Sequence, residues 1–248
     1  MIQAANPYVK QICLETGERS QTAAIAAFVR TRRSANESLH ALAGRLGVTN
    51  IIEEPLQFEG GVFEKAPGAL IIKLNSKSPF VRRRFTLAHE VAHLLLGKPG
   101  LRSASRDNPA LERTCDSIAS ELLMPLDDVS GFVGNLGQPS PKKLQTIASR
   151  YAVSVRTAAI RVHADLSLWK CFVGLWERYP EVKTSWFVGR RRWDRTEPSS
   201  TSLDAALASD ASVRLTEVWQ RGPSAVTVWL NLQRTTGDRV LGLIAFVN

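Results

Sequence analysis

The chain has 248 residues, 44% of them apolar, and 32 Lys and Arg against 23 Asp and Glu give a formal charge of +9. That apolar share suffices for one sizeable core and a second, smaller one, and it excludes a charged, disordered chain. Cys13, Cys115 and Cys171 are odd in number and widely spaced, which excludes a disulfide framework and a Cys-x-x-Cys metal pair. The positive charge permits nucleic-acid or acidic-protein partners and specifies neither.

Residues 1–17 contain Lys10 and Glu15 and no apolar run of signal-peptide length, and no later stretch reaches membrane-span length. The expectation is a soluble, cytoplasmic protein. Residues 22–32, alanine-rich with Ile25, Phe28 and Val29, read as a helix whose Arg30-Thr-Arg-Arg33 end suits the negative pole of its dipole. Leu39, Leu42, Ala43 and Leu46 mark a second helix ending at Gly47. Residues 48–52 form the first strand candidate. Residues 61–64 and 69–75, separated by Lys-Ala-Pro-Gly, read as a hairpin. Strand 69–75 is expected to be either a peptide-pairing free edge or an ordinary capped one.

Ser78-Pro79 is expected to cap and start a helix with Phe80, Leu87, Val91, Leu94 and Leu95 at helical spacing, stopping at Gly97. Arg82-Arg83-Arg84 sits at its positive end, where cations are mildly unfavourable, so compensating contacts are expected. The run reads as a solvated face or a docking surface for substrate. On this helix stands His89-Glu90-x-x-His93. A separation of four puts two imidazoles on one helix face, with Cβ atoms about 5 to 6 Å apart. Two rings so placed can share a metal ion at Zn–N distances of about 2.0 to 2.1 Å. Glu90, one step on, is rotated off that line and suits a proton acceptor better than a ligand.

A second helix follows, with Asn108 as cap, Pro109 as start and Pro125 as stop. Leu111, Cys115, Ile118, Ala119 and Leu122 are its buried stripe, and Glu112 and Asp116 lie four apart on a neighbouring line. A short loop, 98–108, lets the two helices pack antiparallel. Catalytic zinc takes three protein ligands, often two histidines and a carboxylate, and Glu112 completes that set with His89 and His93. Asp116 can then accept the other ring N–H of a ligand histidine. Glu121 is the rival ligand, and a solvated helix face is the other fate open to Glu112 and Asp116.

Residues 84–97 followed by Glu112-x-x-x-Asp116 and Glu-Leu-Leu-Met-Pro125 resemble the ImmA/IrrE family of zinc metallopeptidases, a likeness covering about residues 20–165. Members usually carry Asn where this chain has Asp116, and Glu-x-x-x-Asp is the form that thermolysin-like enzymes use. The resemblance implies a thermolysin-like minimal domain with Zn2+ as cofactor. It also implies a protein substrate, a helix-turn-helix repressor or antitoxin whose cleavage derepresses phage, mobile-element or stress genes.

After a short segment, 126–133, and a Gly- and Pro-marked loop, residues 140–151 and 155–162 flank a turn. Lys142, Lys143, Arg156 and Arg161 stand outside that turn, so the pair resembles a helix-turn-helix. It carries the alternative function, a DNA-binding transcriptional regulator that uses the zinc fold as scaffold. The family resemblance instead implies a helical subdomain that packs to close the catalytic cleft. Tyr151 and His163 are candidates for steadying an oxyanion.

From residue 166 the character changes. All six tryptophans lie at 169, 176, 186, 193, 219 and 229, amid β-leaning stretches 171–176, 184–188, 225–232 and 240–247. Residues 194–202 read as a loop, and 203–209 and 213–219 as helices. The run 189–193 reads as a solvated loop or a contact for an acidic partner. The expected class is α+β. It comprises a zincin-like metallopeptidase core (1–125), a helix-turn-helix-like helical subdomain (126–165) and a Trp-rich α+β domain (166–248), a module with a regulatory role in some family proposals.

Overall fold

The computed structural model describes residues 6–97, 108–178, 181–189, 197–221 and 224–246. The fold is α+β with two separate sheets. Its described residues sort into two compact units, residues 1–129 with 151–153, and residues 130–150 with 154–248. All but Asn108 of the loop expected at 98–108, and most of the basic run 189–193, lie outside the described residues.

The first unit opens with a helix that periodicity alone did not mark, α1 (Pro7–Thr16). Its ends are nonetheless conventional, because Asn6 caps with Pro7 in the first turn and Gly17 closes it at φ 74°. Asn6 does more than cap. Its Nδ2 donates to the Ala110 carbonyl and to Thr114 Oγ1, both at 2.9 Å. Asn108 Nδ2 donates to Tyr8 Oη at 2.8 Å, so α1 is tied to the start of a later helix, α5 (Pro109–Leu123). Helices α2 (Gln21–Arg32) and α3 (Leu39–Arg45) follow, burying Ile25, Phe28 and Val29, and Leu39 and Leu42.

Three strands, β1 (Val48–Glu54), β2 (Gly60–Ala66) and β3 (Ala69–Asn75), pair in the order β1-β3-β2. The β1–β3 pair is parallel and the β2–β3 pair antiparallel. This corrects the expectation for 69–75, since β3 is the central strand and the edge beyond the hairpin belongs to β2. Burial agrees, because a central strand is covered by neighbours and Ile71, Ile72 and Leu74 are all buried. Strand β2 reaches α4 (Phe80–Leu95) through a glycine. A Cβ at Gly60 would lie 2.7 Å from both Thr86 Cγ2 and the Lys73 carbonyl.

Helix α4 starts without the expected side-chain cap. Pro79 occupies the cap position, and Ser78 Oγ instead donates to Glu59 Oε2 at 2.6 Å. The three arginines have the compensating contacts that their position demands. Arg82 pairs with Glu59 at 2.9 Å, and Arg83 with Glu53 at 3.2 Å and with the Ser78 carbonyl at 2.6 Å. Arg84 donates to the carbonyls of Tyr151 and Ala152. They act as ties at the helix start.

The second unit is built on a five-stranded antiparallel sheet, ordered β5-β4-β8-β7-β6. Its strands are β4 (Phe172–Glu177), β5 (Lys183–Val188), β6 (Val213–Arg221), β7 (Ser224–Arg234) and β8 (Arg239–Phe246). Residues 213–219, expected as a helix, are therefore strand. Their alternation, with Leu215, Glu217 and Trp219 on one face and Arg214, Thr216 and Val218 on the other, has the period of two that a strand requires. One sheet face meets α9 (Ser200–Leu207) around Trp176, Trp219, Leu203, Leu230 and Ile244. Gly174 and Gly242 make room for the Trp176 ring, which stands 2.4 Å and 2.9 Å from where their Cβ atoms would be.

The other face is met by α7 (Pro141–Arg150), and β5 is met by α8 (Val155–Ala159) and the π-helical stretch that continues it, Ile160–Asp165. Helix α6 (Leu126–Asn135) precedes them. Of the four cations noted in this pair, Arg161 is buried and Lys143 Nζ donates to the Gln138 carbonyl at 2.7 Å. Lys142 and Arg156 are exposed.

Glu217 locks α9 to the sheet. Its Oε1 accepts from Ser199 N–H at 2.8 Å and Ser202 Oγ at 2.5 Å, and its Oε2 accepts from Trp219 Nε1 at 2.8 Å. Burial raises its pKa, but the hydrogen bonds from Ser202, Trp219 and Ser199 outweigh that and hold it below the usual 4.5. A depressed folded pKa contributes stability above the unfolded value, and this is lost as pH falls through the folded one. Glu217→Ala should therefore lower the melting temperature clearly at pH 7, and the difference from the parent should shrink below about pH 4.5, in calorimetric scans across pH.

Candidate metal centre

Helices α4 and α5 pack against each other along apolar stripes that include Leu87, Val91, Leu111, Cys115 and Ile118, all buried. Along one side of that seam stand the chemically active side chains. His89 Nε2 lies 3.1 Å from His93 Nε2 and 3.2 Å from Glu112 Oε2, and His93 Nε2 lies 3.4 Å from Glu112 Oε1. One ligand atom from each of the three residues falls within 4.8 Å of the other two, so the group could hold a metal ion. The rings of His89 and His93 meet edge to face, with centroids 4.9 Å apart. Asp116, one turn beyond Glu112, accepts from His89 Nδ1–H at 2.9 Å. His89 thus touches both carboxylates and His93 only the earlier one, as antiparallel helices require.

The donor set fits a metal on chemical grounds. With Nδ1 of His89 donating to Asp116, its Nε2 presents a lone pair towards Glu112 and His93. Burial lowers the pKa of His89, but the Asp116 hydrogen bond and the charges of Glu90, Asp116 and Glu112 together raise it above 6.5. The site therefore favours a positive charge. Glu112 Oε1 is buried without a hydrogen bond, the state of an acceptor awaiting a cation.

Glu90 is buried, and it accepts a backbone hydrogen bond from Val62 in β2 while feeling the charges of His89 and Glu112. Its pKa is pushed up to about 7, chiefly by burial and also by the Glu112 charge, against the pull of His89 and a backbone hydrogen bond from Val62. Sequence reasoning did not name Val62. The register explains it. Asn75 N–H donates to the Glu59 carbonyl, so Glu59–Asn75, Gly61–Lys73 and Phe63–Ile71 are the hydrogen-bonded pairs, and Val62 turns its backbone groups to the open edge of β2.

The remaining candidates have other partners. Glu121 is buried and its Oε1 accepts from Leu126 N–H at 3.1 Å, at the start of α6. Tyr151 is buried and its carbonyl accepts from Arg84. His163 belongs to the second unit, where its Nδ1 is 3.1 Å from the Trp169 carbonyl. Cys115, between Glu112 and Asp116 in sequence, is fully buried, and burial above all keeps it a neutral thiol.

Residues 43–163 match the model of the Peptidase_M78 family, described as the IrrE N-terminal-like domain. Over those residues the chain resembles the ImmA/IrrE family. It is 32% identical over 127 residues to the radiation response metalloprotease IrrE of Deinococcus radiodurans, a match covering 48% of this chain. With the radiation response metalloprotease IrrE of Deinococcus deserti it shares 31% identity over 146 residues, or 52% of this chain. These matches span only 38% and 51% of those two relatives. Among solved structures, a Mycobacterium tuberculosis transcriptional regulator is similar at a TM-score of 0.52, covering 97% of this chain and 76% of that one. At 12% identity that likeness concerns the fold alone.

The arrangement predicts an ordered loss of metal. Glu112→Gln should lower the metal-to-protein ratio measured by mass spectrometry. Asp116→Ala should keep the ratio at saturating metal yet weaken affinity roughly 10- to 100-fold in chelator competition.

Proposed function

We propose that this protein is a zinc-dependent endopeptidase, and the observation that carries the proposal is the convergence of His89, His93 and Glu112 with Asp116 behind His89. Two imidazoles and a carboxylate are the donor set of a water-splitting zinc site with one position left open. When bound, zinc supplies a Lewis acid that acidifies a water and polarises a carbonyl. His89, His93 and Glu112 would hold the ion, while Asp116 keeps the His89 ring in its donating orientation. Glu90 takes the proton of the attacking water on its carboxylate and delivers it to the departing amide nitrogen. Its burial between α4 and the Val62 backbone keeps bulk water from competing for that proton.

The peptide is held by main-chain pairing on β2. This strand is an edge, and the outward backbone groups of Val62 lie beside Glu90, so an extended substrate added there runs past the proton acceptor. The family resemblance supports a helix-turn-helix repressor or antitoxin as the substrate, with derepression of phage, mobile-element or stress genes as the consequence. The protein acts in the cytoplasm in this account. Among the described residues no helix is long and apolar enough to cross a membrane.

Glu90→Gln tests the chemistry. It should leave metal content unchanged and reduce cleavage by about 10²- to 10⁴-fold, measured on helix-turn-helix repressors offered as substrates, with a chelator abolishing cleavage by the parent. Undiminished cleavage by the variant would remove Glu90 from the mechanism.

A further inference from the structure

We propose that the second unit binds a small aromatic carboxylate carrying a hydrogen-bond donor next to its carboxyl group, on the sheet face opposite α9. A cleft of about 840 Å³ opens there beside the α6–α7 turn, lined entirely by residues of this unit. That volume suits a small organic molecule, for which pockets run to about 300 to 1,000 Å³. Its walls are apolar and aromatic, with Leu168, Leu243 and Trp229, whose indole is 52% exposed.

The polar groups in the cleft define the ligand. Arg214 and Lys170 line it and, among the described residues, no acidic residue does, so its field favours an anion. Neither cation makes an ion pair or side-chain hydrogen bond with the described residues. Asn231 pairs directly with Arg214 across β6 and β7, and such neighbours on one face have Cβ atoms about 4.5 to 5.5 Å apart. Its Oδ1 is buried and accepts no hydrogen bond. A buried acceptor in that state calls for a donor. A carboxylate on Arg214 therefore places an adjacent hydroxyl at Asn231. Trp229 lies two residues along the same strand face, so an attached ring stacks on the indole. An amino acid fits less well, because its ammonium would face both cations.

3-Phenyllactate has all three features. 3-Phenylpropionate lacks the hydroxyl, and 3-phenylpropane-1,2-diol lacks the carboxylate. Titration calorimetry on the full chain should show phenyllactate binding most tightly and the diol weaker by roughly tenfold, the worth of a charge-assisted pair. Arg214→Gln should erase the acid-over-diol preference, and Asn231→Leu should erase the preference for phenyllactate over phenylpropionate. Circular dichroism checks that both variants fold. Absence of phenyllactate binding at about 10 mM, equal affinity for the diol, or an unchanged preference in Arg214→Gln overturns the proposal. So does a concentration-dependent dimer that Trp229→Ala disrupts, since a second copy of the chain would then cover this face.

Discussion

The first unit depends on one arrangement, in which three proton-binding side chains from two helices converge in a partly buried cluster. Two imidazoles and a carboxylate so close would be costly to bury unless a cation, a proton or a metal, satisfied their lone pairs. The seam between α4 and α5 imposes that closeness, and each helix is also anchored near its start. Asn6 and Tyr8 reach the beginning of α5, and Arg84 fastens the early turns of α4 to the Tyr151–Ala152 backbone. Outlying polar contacts thus hold in register the helices that carry the candidate metal ligands.

The second unit solves a different problem. An antiparallel sheet of five strands has two faces to cover, and here α9 takes one and α7 meets the other. The Glu217 carboxylate decides how α9 sits, because it gathers the Ser199 amide, the Ser202 hydroxyl and the Trp219 indole onto one side chain. The face opposite keeps an aromatic and cationic cleft, which a purely structural sheet has no need to retain.

The site was legible because its residues sit on helices with strong local signals. The i, i+4 spacing of His89 and His93, and the Asn108-Pro109 start that sets the phase of Glu112 and Asp116, are rules of one helix face and survive any tertiary arrangement. Pairing between strands is not local, and there the expectation failed. Nothing in Ala69–Asn75 says whether a third strand adds to its far side, and β1 does so with partners 21 or 22 residues upstream. The 213–219 segment misled for another reason. Its apolar residues alternate, but Glu217 stands among the inward positions because three donors satisfy it, and a half-buried carboxylate breaks the pattern by which strands are recognised. Helix α1 was missed because its buried residues are few, although the Asn-Pro start and Gly17 stop could have marked it.

The central claim is that two imidazoles and one carboxylate hold a catalytic zinc. X-ray absorption at the zinc edge on the loaded protein tests it most directly, because scattering from imidazole, oxygen and sulfur neighbours is distinguishable. The account predicts a four-coordinate shell of nitrogen and oxygen at about 2.0 to 2.1 Å with the outer-ring signature of two histidines. A sulfur neighbour at about 2.3 Å, or a shell with fewer than two imidazoles, would contradict it.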